Sequence, residues 1–367
     1  MNPMHSILVM IFSNLHPRPN IGKLVMNENG GVNVRDVRYC LLCGSRGTVL
    51  YTGLSDRLFD VPGTWMLMRC QSCQLIWLNP QPTIDDVKKL YAQYFTHQKV
   101  ENAPHKRGVI WKKLKASILL SGFGYQMEGA NKILGSILCQ ISPLKEIIGN
   151  STMWLKASEK GRLLDVGCGN GLFLNQMERL GWKAVGVEQD GEAVSIARER
   201  YGLQVFRGSL EEAKFPEGHF DAITMNHVIE HVLDPIGLLK ECRRILKPDG
   251  KLVMVTPNSK SLGLQIFDED WRGLEVPRHM YLFSPHAMRA CAGAAGLAIQ
   301  ELRTTAKGAR WMWAACSLLR QDGANPGGSP EKLSNWVGLQ GLAFQAVEYV
   351  LCGFGQGGEE LVITATR

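Results

Sequence analysis

Three groups of residues in this 367-residue chain have types and spacings that could do chemistry. The hexapeptide NHVIEH holds His227, Glu230 and His231 at i, i+3 and i+4, so a helix would bring an acid and two imidazoles onto one face. Such a face could move a proton near neutral pH or hold a metal ion. YCLLCGS and MRCQSCQ hold Cys40, Cys43, Cys70 and Cys73, two C-x-x-C pairs that could surround one zinc ion. All four ligands would then be protein thiolates, which leaves no open position for catalysis and makes the ion structural. In RLLDVGCGNGLFL, Gly167, Gly169 and Gly171 lie between an apolar strand and an amphipathic helix. Ligands of open α/β sheets bind at such turns. Asp165, two residues before the first glycine, would repel a pyrophosphate but suits an ammonium or sulfonium group. Glu188 ends the next apolar run, AVGVE, where an acid can accept hydrogen bonds from both ribose hydroxyls.

These residues need a scaffold. From 161 onward, short apolar runs (LLDVG, AVGVE, FDAITM, KLVMVTP) alternate with amphipathic segments of helical length. That alternation predicts an α/β fold with a doubly wound, mostly parallel sheet over 161–367. LAIQELRTTA and GEELVITATR read as its last two strands, with a helical insertion near 306–357. Residues 39–97 read as a small zinc ribbon and junction helix, with Gly44 after the first cysteine pair and Gln74 where a second glycine would be usual. Residues 98–160 read as a helical cap or linker, and 1–38 as an irregular lead-in in which Met26 could serve as the start.

Bulk properties narrow the classes. Hydrophobic residues make up 45%, enough for a sizeable core, and the formal charge of +7 permits an anionic partner without demanding nucleic acid. Six of the ten cysteines follow no framework spacing, which fits a reducing compartment. The apolar run SILVMIF lacks a basic leader and a cleavage site, and no apolar stretch reaches the ~20 residues of a membrane span. The expected location is cytoplasmic.

In order along 161–305, LDVGCGNG, GVEQD, RGSLEEAKFPEGHFDAITMNHVIEHV and LKPDGKLVMVTPN resemble the motifs of class I S-adenosylmethionine-dependent methyltransferases. The resemblance implies a seven-stranded Rossmann-like sheet that binds S-adenosyl-L-methionine. Asp165, Gly167, Gly169 and Gly171 would hold the methionine end and Glu188 the ribose. Ser209 and Leu210 would lie beside the adenine, and Asn226 would close the site near the sulfur. Ser209 departs from the family, which usually has Asp there, and a hydroxyl accepts more weakly from the adenine amine. The ribbon with RCQSCQLIWLNPQPTIDDVKKLYAQYF resembles bacterial methyltransferases that carry an N-terminal zinc ribbon, often associated with sugar, polysaccharide or secondary-metabolite biosynthesis.

The spacing H-x-x-E-H also occurs in zinc peptidases. A peptidase would need a further ligand downstream, and here the motif instead follows the strand FDAITM beside the glycine loop. EHVLDP is similar to ubiquinone-biosynthesis O-methyltransferases, some of which hold a divalent cation on this face with an acid where this chain has His227. His231 and His279 are the candidate general bases, with Glu230 beside them. Trp271, Arg272, Arg278 and His279 would form an acceptor pocket with a partner for an anionic group. The expected acceptor is a small molecule, sugar- or lipid-linked. An RNA methyltransferase using the ribbon to bind RNA, or a non-catalytic cofactor-binding protein, are the alternatives. The lysines of HKRGVIWKKLK are not interleaved with stacking aromatics, which argues against nucleic acid, and that segment could touch a membrane surface. The apolar insertion could serve a homodimer contact.

Overall fold

The computed structural model describes residues 26–91, 108–322, 335–355 and 357–367. Strands β1 (Met26–Asn29) and β2 (Val32–Arg35) form a hairpin, where an irregular lead-in was expected. Its cause is local: Gly30 and Gly31 both take positive φ in the two-residue turn, and Val32 and Val34 alternate inward. The remainder of the lead-in, 1–25, lies outside the described residues. β3 (Thr48–Leu54), β4 (Trp65–Arg69) and β5 (Ile76–Asn79) pair antiparallel in the ribbon, and the short β6 (Gln81–Pro82) pairs with β2.

The second part of the chain builds a seven-stranded sheet from β7 (Arg162–Val166), β8 (Lys183–Glu188), β9 (Gln204–Arg207), β10 (Phe220–Asn226) and β11 (Leu246–Pro257). A two-residue strand, β12 (Tyr281–Leu282), comes next, and β13 (Ala298–Thr305) and β14 (Glu360–Thr366) complete the sheet. Its order is β13-β14-β11-β10-β7-β8-β9; only β14 runs antiparallel to both neighbours. The chain steps from β7 outward to β9, then returns to β10 on the other side of β7. A switch of direction therefore lies between β7 and β10, whose carboxyl ends open a crevice for a ligand.

Alternation along each strand separates two cores. Leu163, Ala222 and Val253 face the helices Leu172–Arg179 and Gly191–Tyr201, and the earlier helices Val109–Phe123 and Ser142–Asn150 cover the same face. Leu164, Ile223 and Leu252 face Pro235–Ile245 and Pro285–Ala294. Both of those helices begin with an acceptor cap and a proline: Asp234 accepts from the Gly237 amide at 2.9 Å and Ser284 from the Ala287 amide at 3.1 Å. Two further helices, Ala309–Asp322 and Asn335–Gly353, lie between β13 and β14. No helix among the described residues is long and apolar enough to cross a membrane.

The ribbon is not a separate bead. β12, from the second part of the chain, pairs with β5 as the fourth strand of the ribbon sheet (Tyr281↔Trp77, Leu282↔Ile76). Trp65, Leu67 and Trp77 belong to the same buried cluster as Met225, Ile229 and Met280.

Candidate active site

The loop after β7 takes its shape from three glycines with φ of 71°, 53° and 79° at Gly167, Gly169 and Gly171. Two of them also have no room for a side chain. A Cβ on Gly167 would meet Val228 at 2.5 Å, and one on Gly171 would meet Leu203 at 2.5 Å. Gly169 has open space within 4 Å, so its backbone is presented to whatever fills the crevice. Glu188 braces this loop: one carboxylate oxygen accepts from the Gly169 amide at 2.8 Å, the other from the Gln189 and Asp190 amides at 2.8 and 3.0 Å. Asp165 is buried and accepts a 2.6 Å bond from the Thr224 hydroxyl. Burial raises its pKa, the Thr224 bond opposes that, and nearby Glu188 raises it again, to about 7. An open cradle, exposed backbone and two acids suit a donor with a cationic sulfur and a ribose. Ser209 spends its polar groups locally: its amide donates to Glu212 at 2.7 Å and its hydroxyl accepts from the Glu212 amide at 3.2 Å. Leu210 is buried beside it, and Asn226 is exposed at the end of β10.

NHVIEH does not form the expected helix face. His227 has φ 54°, a single 3-10 turn spans Ile229–His231, and the α-helix starts only at Pro235. The turn sends His227 away from His231: its Nδ1 meets Glu230 at 3.1 Å and its Nε2 meets Glu360 at 3.1 Å. Burial pulls the His227 pKa down, but the two carboxylates pull it up further, to about 10. Burial would raise Glu230, yet His227 holds it down at about 2. His227 is thus an imidazolium clamp rather than a base. Replacing it with glutamine removes the cation that Glu230 and Glu360 share. We expect a loss of about 2–3 kcal/mol, a range lowered because the ring is 38% exposed and partly screened. The folded pKa lies above the ordinary value, so this stability is fully present below about pH 6.5 and fades as pH rises through 10. Denaturant titration of parent and His227→Gln should show a gap at about pH 6 that closes near pH 10. An unchanged gap refutes the clamp.

His231 and His279 do come together, with ring centroids 4.7 Å apart. His231 Nδ1 lies 3.2 Å from the Arg278 carbonyl and 3.1 Å from the Tyr91 hydroxyl. His279 Nδ1 donates to the Gly273 carbonyl at 2.8 Å. Burial and the neighbouring His231 push the His279 pKa down to about 4, so it is neutral at pH 7. Glu230, His231 and His279 each place a ligand atom within 4.8 Å of the others. That set differs from the expected His227, Glu230 and His231, because His227 is committed to Glu360.

The arginines of the expected acceptor pocket are not available to an anion. Arg278 is fully buried and makes a two-pronged ion pair with Asp56 at 2.6 and 2.8 Å. Arg272 is buried on Glu275 at 2.5 Å, and Trp271 donates to Glu359 at 2.8 Å. Both guanidiniums found carboxylates within the protein, which is the usual fate of a buried arginine.

In the ribbon, Cys40 and Cys73 sulfurs lie 3.3 Å apart, as do those of Cys43 and Cys70. All four lie within 4.8 Å of one another with no disulfide between them. The knuckles close through Gly44 and Gln74 amides that donate to the Cys40 and Cys70 carbonyls at 2.9 and 3.0 Å. Gln74 adopts φ 62°, the left-handed backbone a glycine would take without strain. A thiolate tetrahedron around zinc has edges of roughly 3.8 Å, so this donor set fits the ion.

Sequence patterns did not point to Thr224, Glu360, Tyr91 or Asp56. Glu360 lies opposite Pro257 through the pairing of β14 with β11, a long-range contact that no local pattern signals. Asp56 carried no local signal at all.

The chain is similar to several known proteins. Residues 146–302 match a family described as a methyltransferase domain. A ubiquinone biosynthesis O-methyltransferase of Cereibacter sphaeroides is 37% identical over 117 residues, 30% of this chain and 47% of that protein. One from Xanthomonas axonopodis pv. citri is 34% identical over 153 residues, 38% of this chain and 64% of that protein. The chain thus spans about half the length of the first of these relatives. An S-adenosylmethionine dependent methyltransferase structure from Mesorhizobium loti superposes with a TM-score of 0.39 at 16% identity, over 57% of this chain and 92% of that one.

Proposed function

We propose that this chain, which carries a methyltransferase domain over residues 146–302, transfers the methyl group of S-adenosylmethionine to a hydroxyl of a small-molecule acceptor. The observation that carries the reading is the open cradle at Gly169 between Asp165 and Glu188. Asp165 and the glycine loop would hold the methionine end, Glu188 the ribose, and Leu210 the adenine. Bound there, the donor supplies an electrophilic methyl on a positively charged sulfur. The chain's own residues then align the acceptor and exclude water, which is most of what an in-line displacement needs.

His231 is the base we assign. A carbonyl only accepts, so Nδ1 carries the proton that the Arg278 oxygen receives, and the lone pair lies on Nε2. That nitrogen has no hydrogen-bond partner among the described residues and can take a hydroxyl proton. Oxygen transfer is favoured because the relatives above are named O-methyltransferases. A sugar- or lipid-linked acceptor is the finer proposal, and the helix Asn335–Gly353, with Trp336 exposed on it and Phe354 exposed just after it, offers an apolar wall for the lipid portion. The cysteine cluster would hold a structural zinc.

Radiolabelled methyl transfer into a metabolite extract, with and without ribonuclease, tests the assignment. Label in a ribonuclease-sensitive polymer would replace the small-molecule reading with the RNA one. A second expectation concerns pH. The Asp165 pKa of about 7 describes the protein without a cation beside it. A bound sulfonium favours the carboxylate, so donor binding lowers that pKa and releases a proton. Affinity should rise up to tenfold per pH unit below about 7 and level off above it. Calorimetry that finds constant affinity from about pH 5.5 to 8 refutes this role.

A further inference from the structure

The second half of the candidate site is tied to the ribbon through Asp56, which shares Arg278 with Glu275, whose carboxylate meets Arg278 Nε at 3.3 Å. Asp56 lies in the segment between β3 and β4 and is 5% exposed. Its oxygens accept amide bonds from Leu58, Phe59 and Val61 at 3.0, 3.2 and 3.1 Å, which stiffen the loop around it. The same oxygens take both terminal nitrogens of Arg278, and the Phe59 ring lies 4.4 Å from the guanidinium carbon. Such a fork admits one orientation of the arginine, unlike the point charge of a lysine. Two residues along, the backbone is tied again: the Met280 amide donates to the Glu230 carbonyl at 2.7 Å, and the Leu78 amide of the ribbon donates to the Met280 carbonyl at 3.0 Å. Between these ties the Arg278 carbonyl meets His231 Nδ1 at 3.2 Å.

We propose that Asp56 is a positioning residue for His231: by fixing Arg278, it aims the Arg278 carbonyl at Nδ1 and keeps the imidazole in the tautomer whose Nε2 lone pair is free. The inference rests on His231 being the base, but the tautomer can be read without any acceptor. The alternative partner, the Tyr91 hydroxyl, can donate as well as accept, so it does not select a tautomer by itself. The ribbon thereby acts on the reaction at a distance, through a carbonyl and not through contact with either substrate.

The test is long-range proton–nitrogen NMR of the full chain with 15N-labelled histidine, saturated with S-adenosylhomocysteine, using His231→Asn to identify the His231 signals. The parent should show His231 protonated at Nδ1 and bare at Nε2. Asp56→Asn should convert it to the Nε2-protonated pattern or to an exchanging mixture, with His279 unchanged and affinity for the homocysteine product unaltered. Should Asp56→Asn not fold, Arg278→Lys makes the same measurement from the other end, with the same shift expected. A parent already protonated at Nε2, or a folded variant that keeps the Nδ1 pattern, overturns the proposal. Failure to bind S-adenosylhomocysteine would instead strike the methyltransferase reading, because the tautomer can still be recorded without it.

Discussion

Glu188→Ala should lower affinity for S-adenosylhomocysteine by about a hundredfold or more, measured by calorimetry at about pH 8. Two losses combine. The ribose hydroxyls lose a charged acceptor, and charge-assisted hydrogen bonds contribute about 1.5–3 kcal/mol each. The free protein also loses its loop brace, because both Glu188 oxygens accept backbone amides, including that of Gly169. The truncation therefore leaves donors at Gly169, Gln189 and Asp190 to water and frees the cradle to move. A hundredfold is ~2.7 kcal/mol, so even the ribose contact with a modest share of the brace reaches it. Glu188→Gln keeps an acceptor oxygen but puts a donor opposite amide hydrogens, and should fall between the two. Ser209→Ala is the control. Its hydroxyl serves the Glu212 amide, so the expected effect is the loss of a local cap, ~1 kcal/mol of stability, with little change in affinity. Parent-like binding by Glu188→Ala would undo the pocket.

How much of this was readable beforehand depends on the range of the interaction. The glycine turn between strand and helix and the strand–helix alternation have causes within a few residues, and the structure has them where the sequence predicts. The hexapeptide failed for an equally physical reason. Its i, i+3, i+4 spacing is shared by a helix and by any turn that brings neighbours together, and periodicity over six residues cannot separate them. His227 instead meets Glu360, 133 residues away in sequence, which reaches it from β14 on the far side of β11. Arg278 misled similarly: an arginine beside a candidate base looks like an anion partner until Asp56, 222 residues earlier, is found to occupy it. Composition could identify a ribbon, but nothing in it said that β12 would complete the ribbon's sheet.

That shared sheet makes removal of the proposed zinc the most consequential change outside the proposed cofactor crevice. Cys70→Ser, or chelation of the parent, should release one zinc per four thiols and dismantle the ribbon, since structural zinc contributes apparent binding free energies of about 10–16 kcal/mol in small metal-dependent folds. An isolated ribbon would unfold without further consequence. Here β5 loses its geometry and with it the pairing to Tyr281 and Leu282 and the Leu78 bond to Met280. The Asp56 fork to Arg278 loses its anchor in the same event. The segment from Val276 to Phe283, which carries His279 and the Arg278 carbonyl, should then exchange its amide hydrogens much faster. The glycine loop should not, because among the described residues its bonds run to β8 and Glu188 and not to the ribbon. We therefore expect a protein that still binds S-adenosylhomocysteine but has lost methyl transfer to any acceptor by at least about a hundredfold, the scale typical of a misplaced catalytic group. Loss of cofactor binding together with zinc would show that the two halves fold as one unit. Retained transfer without zinc would show that the acceptor loop stands without the ribbon, and the union of the two sheets would then carry no catalytic consequence.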